Sequence, residues 1–281
     1  MPVKFSLELS KGRSEGLDQH EASTEHLHDA ETAFLEIADR YNFKTVECAM
    51  DNVRTKDDIS DEVTAYVLSK LSDIEKKANV LVIMGCDKAF AAGVDVTEIN
   101  KLSFQDAYIS NFINDIWERI FNVKVPVISV VSGYALGGGF ELALMGDIII
   151  ASEKAVFGFP EVNLGIMPGM GGTQFLTKIV GPKIASEIIL TGRFITAQEA
   201  HQLGIVSKIT ENEKLTEESL KLAESISKKS VVSTRMIKEA IRMAQNSTLT
   251  QGIINERNMF RSLFSTEMKK KNIEAFLNKK K

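Results

Sequence analysis

Apolar and polar positions alternate in blocks along the chain. Residues 10–32 are mostly polar, with Gly12, Gly16 and many acids. From Ala30 to Tyr41 apolar side chains return at helical spacing (Ala33, Phe34, Ile37, Ala38), which predicts a short helix behind a weakly ordered or docking arm over 1–29. A strand is expected at Thr45–Met50 and a polar loop at Asp51–Ser60. A helix capped by Ser60 or Asp61 then runs to about Lys77, with Val63, Val67, Leu68 and Leu71 on its buried face. Val80–Met84, Pro126–Ser132 and Asp147–Ala151 are short, nearly unbroken apolar runs, the pattern of strands covered on both faces. Between them lie a loop at Asp87–Gly93, helical patterning over Phe104–Phe121, and a helix from Gly138 to Met145. Beyond Gly171 the chain reads as helices at Thr173–Ile179, Lys183–Thr191, Ala197–Leu203, Thr216–Lys228, Ser233–Asn246, Gln251–Phe264 and Glu267–Lys279.

Alternating strand, loop and helix predict an α/β core with crossover connections rather than a meander of hairpins. Three regions follow: a divergent, partly helical extension over 1–43, a core over 44–210, and a helical region over 211–281.

Composition narrows the classes. The chain has 281 residues, of which 44% are hydrophobic and 26% charged, enough for a sizeable core. A net charge of −4 argues against a general electrostatic grip on nucleic acid, and the lysines at 269–271 and 279–281 read as a solvated helix end. Two cysteines, Cys48 and Cys86, make no disulfide framework and fit a reducing compartment. The histidines (His20, His26, His28, His201) lack zinc-site spacing, so no metal is expected. No apolar run spans a membrane and no signal-peptide core opens the chain. Glu8 and Glu15 argue against a presequence. A soluble cytoplasmic protein is expected, or a mitochondrial-matrix one if the source is eukaryotic.

The chemistry concentrates between Lys88 and Gly172. In K-A-F-A-A-G-V-D, the small residues Ala91, Ala92 and Gly93 let a ligand approach the backbone, and Gly93 can aim the Val94 N–H outward, although a tight turn explains the same residues. Gly137, Gly138 and Gly139 directly precede a helix, whose first-turn N–H groups and dipole favour developing negative charge. Paired with the Val94 amide they would make a two-donor oxyanion hole. The spacing matches neither a dinucleotide fingerprint nor a phosphate loop. Glu141 reads equally as a helix-start acid, and Glu161 in F-G-F-P-E as a loop acid. Together, each beside a glycine-rich turn, they point to a carboxylate pair for moving protons. Gly169, in P-G-M-G-G, offers an amide to hold a water.

At these residues the chain resembles the enoyl-CoA hydratases of the crotonase family. The likeness runs from about Val80 to the C-terminus through K-A-F-A-A-G-V-D, G-Y-A-L-G-G-G-F-E-L-A, F-G-F-P-E-V-N-L-G-I-M-P-G-M-G-G-T and L-T-G-R-F-I-T-A-Q-E-A. It implies a spiral of stacked β-β-α units with a helical C-terminal trimerisation region, and an acyl-CoA thioester as substrate. It implies a homotrimer or a dimer of trimers, with no cofactor beyond the CoA of the substrate itself. By position it assigns the oxyanion hole to Val94 and Gly138, catalysis to Glu141 and Glu161, and water binding to Gly169. Substrate or CoA contact falls to Ala92, Val94, Asp95, Phe260, Phe276 and Lys279. The implied reaction is syn hydration of a trans-2-enoyl-CoA to a 3-hydroxyacyl-CoA in fatty-acid β-oxidation. The alternatives are double-bond isomerisation or another reaction of this type on a different acyl-CoA, and a non-catalytic CoA- or RNA-binding scaffold. The chain departs from the family at 45–60, where the asparagine-proline and N-A-L elements are missing, and over 1–43, which has no clear counterpart.

Overall fold

The computed structural model describes residues 78–94, 96–110 and 114–278, all within one compact unit, Leu71–Lys281. The arm, helix, strand and second helix expected before Lys77 lie outside the described residues, as does the boundary at 43.

Three successive turns of chain each lay down two strands and then helical structure. The first has β1 (Leu81–Met84), β2 (Ala89–Ala91) and helices α1 (Val96–Ile99), α2 (Phe104–Ile109) and α3 (Asn114–Phe121). The second has β3 (Val127–Val131), β4 (Tyr134–Leu136) and α4 (Gly138–Met145). The third has β5 (Ile148–Ser152), β6 (Val156–Gly158), a 3-10 turn at Pro160–Leu164, and α5 (Gly172–Val180) and α6 (Pro182–Thr191). The first strands of the turns join one sheet, β1-β3-β5, closed at its edge by β8 (Lys208–Thr210); the second strands join another, β2-β4-β6, closed by β7 (Phe194–Thr196). All pairings are parallel except β6 with β7. This is the spiral of β-β-α units that the sequence motifs imply.

The apolar runs became the first sheet. All five residues of β3 are buried, as a strand flanked by parallel neighbours and covered on both faces requires. In register, Ile128 sits opposite Ile148 and Val130 opposite Ile150. The second sheet is built from three-residue strands, too short to show a period; the segment 87–93, expected to be loop, contains β2. The helical patterning over 104–121 resolves into α2 and α3. Ser103 caps α2 through a reciprocal box with Asp106, and Ser110 ends it.

After β7 come α7 (Ala197–Gln202), a 3-10 turn at Asn212–Lys214 that follows β8, and helices α8 (Leu215–Ser227), α9 (Val231–Ala244), α10 (Leu249–Ser262) and α11 (Glu267–Asn278). Leu215, Leu222, Ala223 and Ile226 pack α8 on Ile128, Val130 and Ile150. α9 is pinned by charge. Lys238, its side chain 5% exposed, pairs with Asp147 at 2.6 Å and donates to the Val125 carbonyl at 2.7 Å, while Asp147 also accepts from the Val127 N–H. Further along, α10, the 3-10 turn Leu263–Ser265 and α11 leave Leu249, Phe260, Phe264, Phe276 and Leu277 exposed.

Candidate active site

The β4–α4 corner positions the first half of the site. Gly137 turns the chain at a φ of 55°, a conformation that side-chain-bearing residues rarely adopt, and its carbonyl accepts from the N–H groups of Phe140 and Glu141 at 2.8 and 3.0 Å. The helix then starts hard against β2: a β-carbon built on Gly139 would lie 1.9 Å from the Ala91 carbonyl oxygen. Only a bare backbone fits there. The close approach sets Gly138 beside the loop that follows β2. A β-carbon on Gly93 (φ 92°) would lie 3.2 Å from Gly138 N, and one on Gly138 would lie 3.8 Å from Val94 N. The Gly93–Val94 peptide and the free end of α4 are therefore neighbours. The Gly138 amide, in the first helical turn, has no acceptor within its own helix.

Glu141 follows on the first turn of α4 and is 1% exposed. Its Oε1 accepts two backbone hydrogen bonds, from Met170 N at 2.7 Å and Gly172 N at 2.8 Å. These amides belong to the glycine-rich segment that opens α5, so one helix start holds the acid carried by another. Glu161 enters from the 3-10 turn. A β-carbon on Gly137 would lie 3.1 Å from its Oε1, and its Oε2 is buried without a hydrogen-bond partner among the described residues. A buried carboxylate oxygen left unpaired is costly, and it marks a place for a ligand or water to supply the missing donor. Beneath both acids Phe140 packs on Phe159 (centroids 4.7 Å apart) and on Phe157 (5.2 Å), which ties the segments bearing Glu141 and Glu161 to the same core.

Burial pushes both carboxyls above the ordinary glutamate range. For Glu141 desolvation dominates, and the N–H groups of Gly172 and Met170 pull back toward the charged form. For Glu161 desolvation again leads, its own backbone N–H opposes, and the charge of Glu141 raises it further. The charge of Glu141 therefore reaches Glu161, as a smaller contribution than burial. Glu141 has two N–H donors on its carboxylate, whereas Oε2 of Glu161 has no hydrogen-bond partner among the described residues.

Val94, Gly138, Glu141 and Glu161 thus come together. Gly169 stands exposed next to the Met170 amide, with open space where a side chain would project. Ala92 is exposed just past β2. Phe260 and Phe276 sit apart, exposed on α10 and α11; Phe260 lines a shallow cleft with Arg257, Arg261 and Phe264. Asp95 and Lys279 lie outside the described residues. The amides of Met170 and Gly172, which hold Glu141, were not singled out from the sequence. The signal was present, because Pro168–Gly172 opens a helix just as Gly137–Gly139 does. Among the described residues no helix is long and apolar enough to cross a membrane.

Residues 45–281 match the family model described as enoyl-CoA hydratase/isomerase. A probable enoyl-CoA hydratase of Rhizobium meliloti (strain 1021) is 46% identical over 212 residues, covering 75% of this chain and 82% of that protein. A mitochondrial enoyl-CoA hydratase of Pongo abelii is also 46% identical over 212 residues, covering 75% of this chain and 73% of that one. Among solved structures, an enoyl-CoA hydratase subunit I from Geobacillus kaustophilus HTA426 superposes with a TM-score of 0.74 at 43% identity, over 78% of this chain and 85% of that chain. The match extends upstream of Val80, through the segment where the expected motifs are missing.

Proposed function

We propose that this chain, which belongs to the enoyl-CoA hydratase/isomerase family, is a hydro-lyase that adds water across the C2=C3 bond of a trans-2-enoyl-CoA to give a 3-hydroxyacyl-CoA, as in fatty-acid β-oxidation. One observation carries the reading. A buried glutamate latched by two amides lies close enough for its charge to reach a second glutamate, whose buried oxygen has no partner among the described residues and which packs by Gly137, next to the neighbouring Gly138 and Val94 backbone.

The thioester oxygen sits between the amides of Val94 and Gly138, which draw electron density from C3. Water attacks C3 as Glu141 takes one of its protons. The C2=C3 electrons move onto the thioester, and the resulting enolate oxygen is held by the two N–H donors. Glu161 then delivers its proton to C2 on the same face. Glu141 ends protonated and Glu161 ionised, and proton exchange with solvent resets the pair. Gly169 would lend its amide to the water. Elsewhere, one oxyanion donor of this kind is worth about 2.7–4 kcal/mol. CoA enters as part of the substrate, and the residues named need no further cofactor. The family resemblance gives substrate or CoA contact to Ala92, Asp95, Phe260, Phe276 and Lys279; of the described ones, Ala92 lies exposed just past β2, and Phe260 and Phe276 would meet CoA from the C-terminal helices.

The exposed apolar side chains of α9 to α11 (Ile237 at 57%, Ile241 at 62%, Phe260 at 60%, Phe276 at 59%) support self-association as a trimer or a dimer of trimers. Light scattering on the full chain tests this. Relatives named from bacteria and from mitochondria support a cytoplasmic or matrix location.

Loss of the conjugated-thioester absorbance of crotonyl-CoA tests the reaction. Hydration by the wild type, and its loss by orders of magnitude in Glu161→Gln, are expected. Migration of the double bond in a 3-enoyl-CoA without gain of water would instead assign an isomerase. Salt-sensitive RNA binding without turnover would assign a scaffold.

A further inference from the structure

Met170 connects the two halves of the site. Its N–H donates to Glu141 at 2.7 Å, and its side chain ends on Gly138, where a built β-carbon would lie 2.3 Å from Met170 Cε. The same built carbon lies 3.8 Å from Val94 N. The thioether therefore runs from the carboxylate that handles water to the backbone that holds the thioester oxygen. A bound enoyl group must cover the same distance, with C1 at the amides and C3 at the acids. We infer that Met170 is a specificity-determining residue: its thioether walls the space beside C2, admitting an unbranched enoyl group and excluding a substituent there. The inference rests on the hydratase reading.

Methionine suits that task. It is unbranched, with several rotatable bonds and a polarisable sulfur, so it can shift to lie along a flat conjugated thioester. A methyl on C2 would need the volume that Met170 Cε fills against Gly138. Gly138 cannot retreat, because its neighbour Gly139 is already pressed on the Ala91 carbonyl. A close-packed wall fixed on one side yields poorly to added volume.

The test compares kcat/KM for crotonyl-CoA and for its 2-methyl analogue, using the full chain as wild type, Met170→Ala and Met170→Leu. In Met170→Ala the ratio should move toward the branched substrate by about tenfold or more, the discrimination that one methyl group carries in an apolar pocket. Met170→Leu keeps the bulk and should stay near the wild-type ratio. Damage to the fold would lower both substrates together and leave the ratio unmoved. A wild type that hydrates crotonyl-CoA with the same ratio in Met170→Ala overturns the inference. A wild type that hydrates neither thioester overturns the hydratase reading instead. In that case methyl-labelled methionine NMR decides the inference, with the Met170 signal assigned by its loss in Met170→Ala. The signal should shift on adding acetoacetyl-CoA but not CoA alone, and an unmoved signal overturns the inference.

Discussion

Glu141 has two tasks that substitution can separate. Its Oε1 satisfies two N–H groups, those of Met170 and Gly172, and in the proposed reaction its charge would serve as the base. In Glu141→Gln the amide oxygen can still accept from both donors, and the NH2 group replaces the oxygen not engaged by them. Two hydrogen bonds to a charged acceptor become neutral ones, a loss of about 1 kcal/mol each. That loss is offset by no longer burying a carboxylate whose desolvation already raises its pKa. The fold should therefore melt within a few degrees of wild type, while kcat for crotonyl-CoA drops by roughly 10²–10⁴, the span typical of a lost acid or base. Glu141→Ala removes the acceptor as well. Two buried donors then go unpaired at about 1–3 kcal/mol each, about 2–6 kcal/mol in all. At about 2–4 °C per kcal/mol for a domain of this size, Tm should fall by about 4–24 °C. Thermal unfolding followed by circular dichroism, with initial hydration rates on the same preparations, reads both. Equal melting temperatures for the two variants would refute the latch, and a Gln variant within a few-fold of wild-type kcat would refute the base.

The other perturbations probe what supports this arrangement. Gly139→Ala drives a methyl group to 1.9 Å from the Ala91 carbonyl, so β2 or α4 must move; overpacking of about 1–3 kcal/mol and a marked loss of hydration are expected together, by thermal melts and rate assays. Asp147→Ala takes the carboxylate from the buried Lys238 ammonium and should cost about 3–5 kcal/mol, read as a lower urea midpoint. The carboxyls of Glu141 and Glu161 both have raised pKa values in the folded state, so the fold holds their protons longer than the unfolded chain does. Their contribution to stability therefore declines as pH rises from the ordinary glutamate value of 4.5 through the raised values, and urea unfolding of the Glu141→Gln/Glu161→Gln double variant should lose that decline. In kcat/KM against pH the acid limb should lie above 4.5, and Glu161→Gln should flatten the alkaline limb.

Some of this was legible from residues alone. The helix Gly138–Met145 ended where its apolar pattern ended, and β1, β3 and β5 of the first sheet announced themselves as nearly unbroken apolar runs, whereas its edge strand β8, Lys-Ile-Thr, did not. The two acids stood out because each was a charge beside glycines in apolar surroundings. Strands β2, β4 and β6 were not legible: three residues carry no period, and they exist only because neighbouring strands hold them in register. The hold of Met170 N and Gly172 N on Glu141 bridges residues about thirty apart in sequence, and backbone donors leave no mark on residue type. The Lys238–Asp147 pair joins α9 to the β-strand core for the same reason, by proximity that no local pattern encodes.

Those short strands nonetheless explain why the site lies where it does. β2, β4 and β6 run parallel and adjacent, so their C-terminal ends open on one side, where ligands of parallel sheets characteristically bind. Past β2 comes the Gly93–Val94 peptide, past β4 come Gly138 and Glu141, and past β6 comes Glu161. In the proposed reaction each turn of the spiral thus delivers one part: a clamp donor, a clamp donor with the base, and the acid. Adjacent strands lie about 4.8 Å apart, close to the spacing needed between groups that act on one three-carbon unit. The register fixes the rest. Leu136 opposite Gly158, with Gly137 N donating to the Gly158 carbonyl at 2.9 Å, stops β4 and β6 level with each other. One residue more in either strand would push the turn that carries its acid about 3.3 Å further along and out of line with its neighbour. Short strands with closely defined ends are therefore the means by which a repeated backbone unit brings unlike side chains to one point.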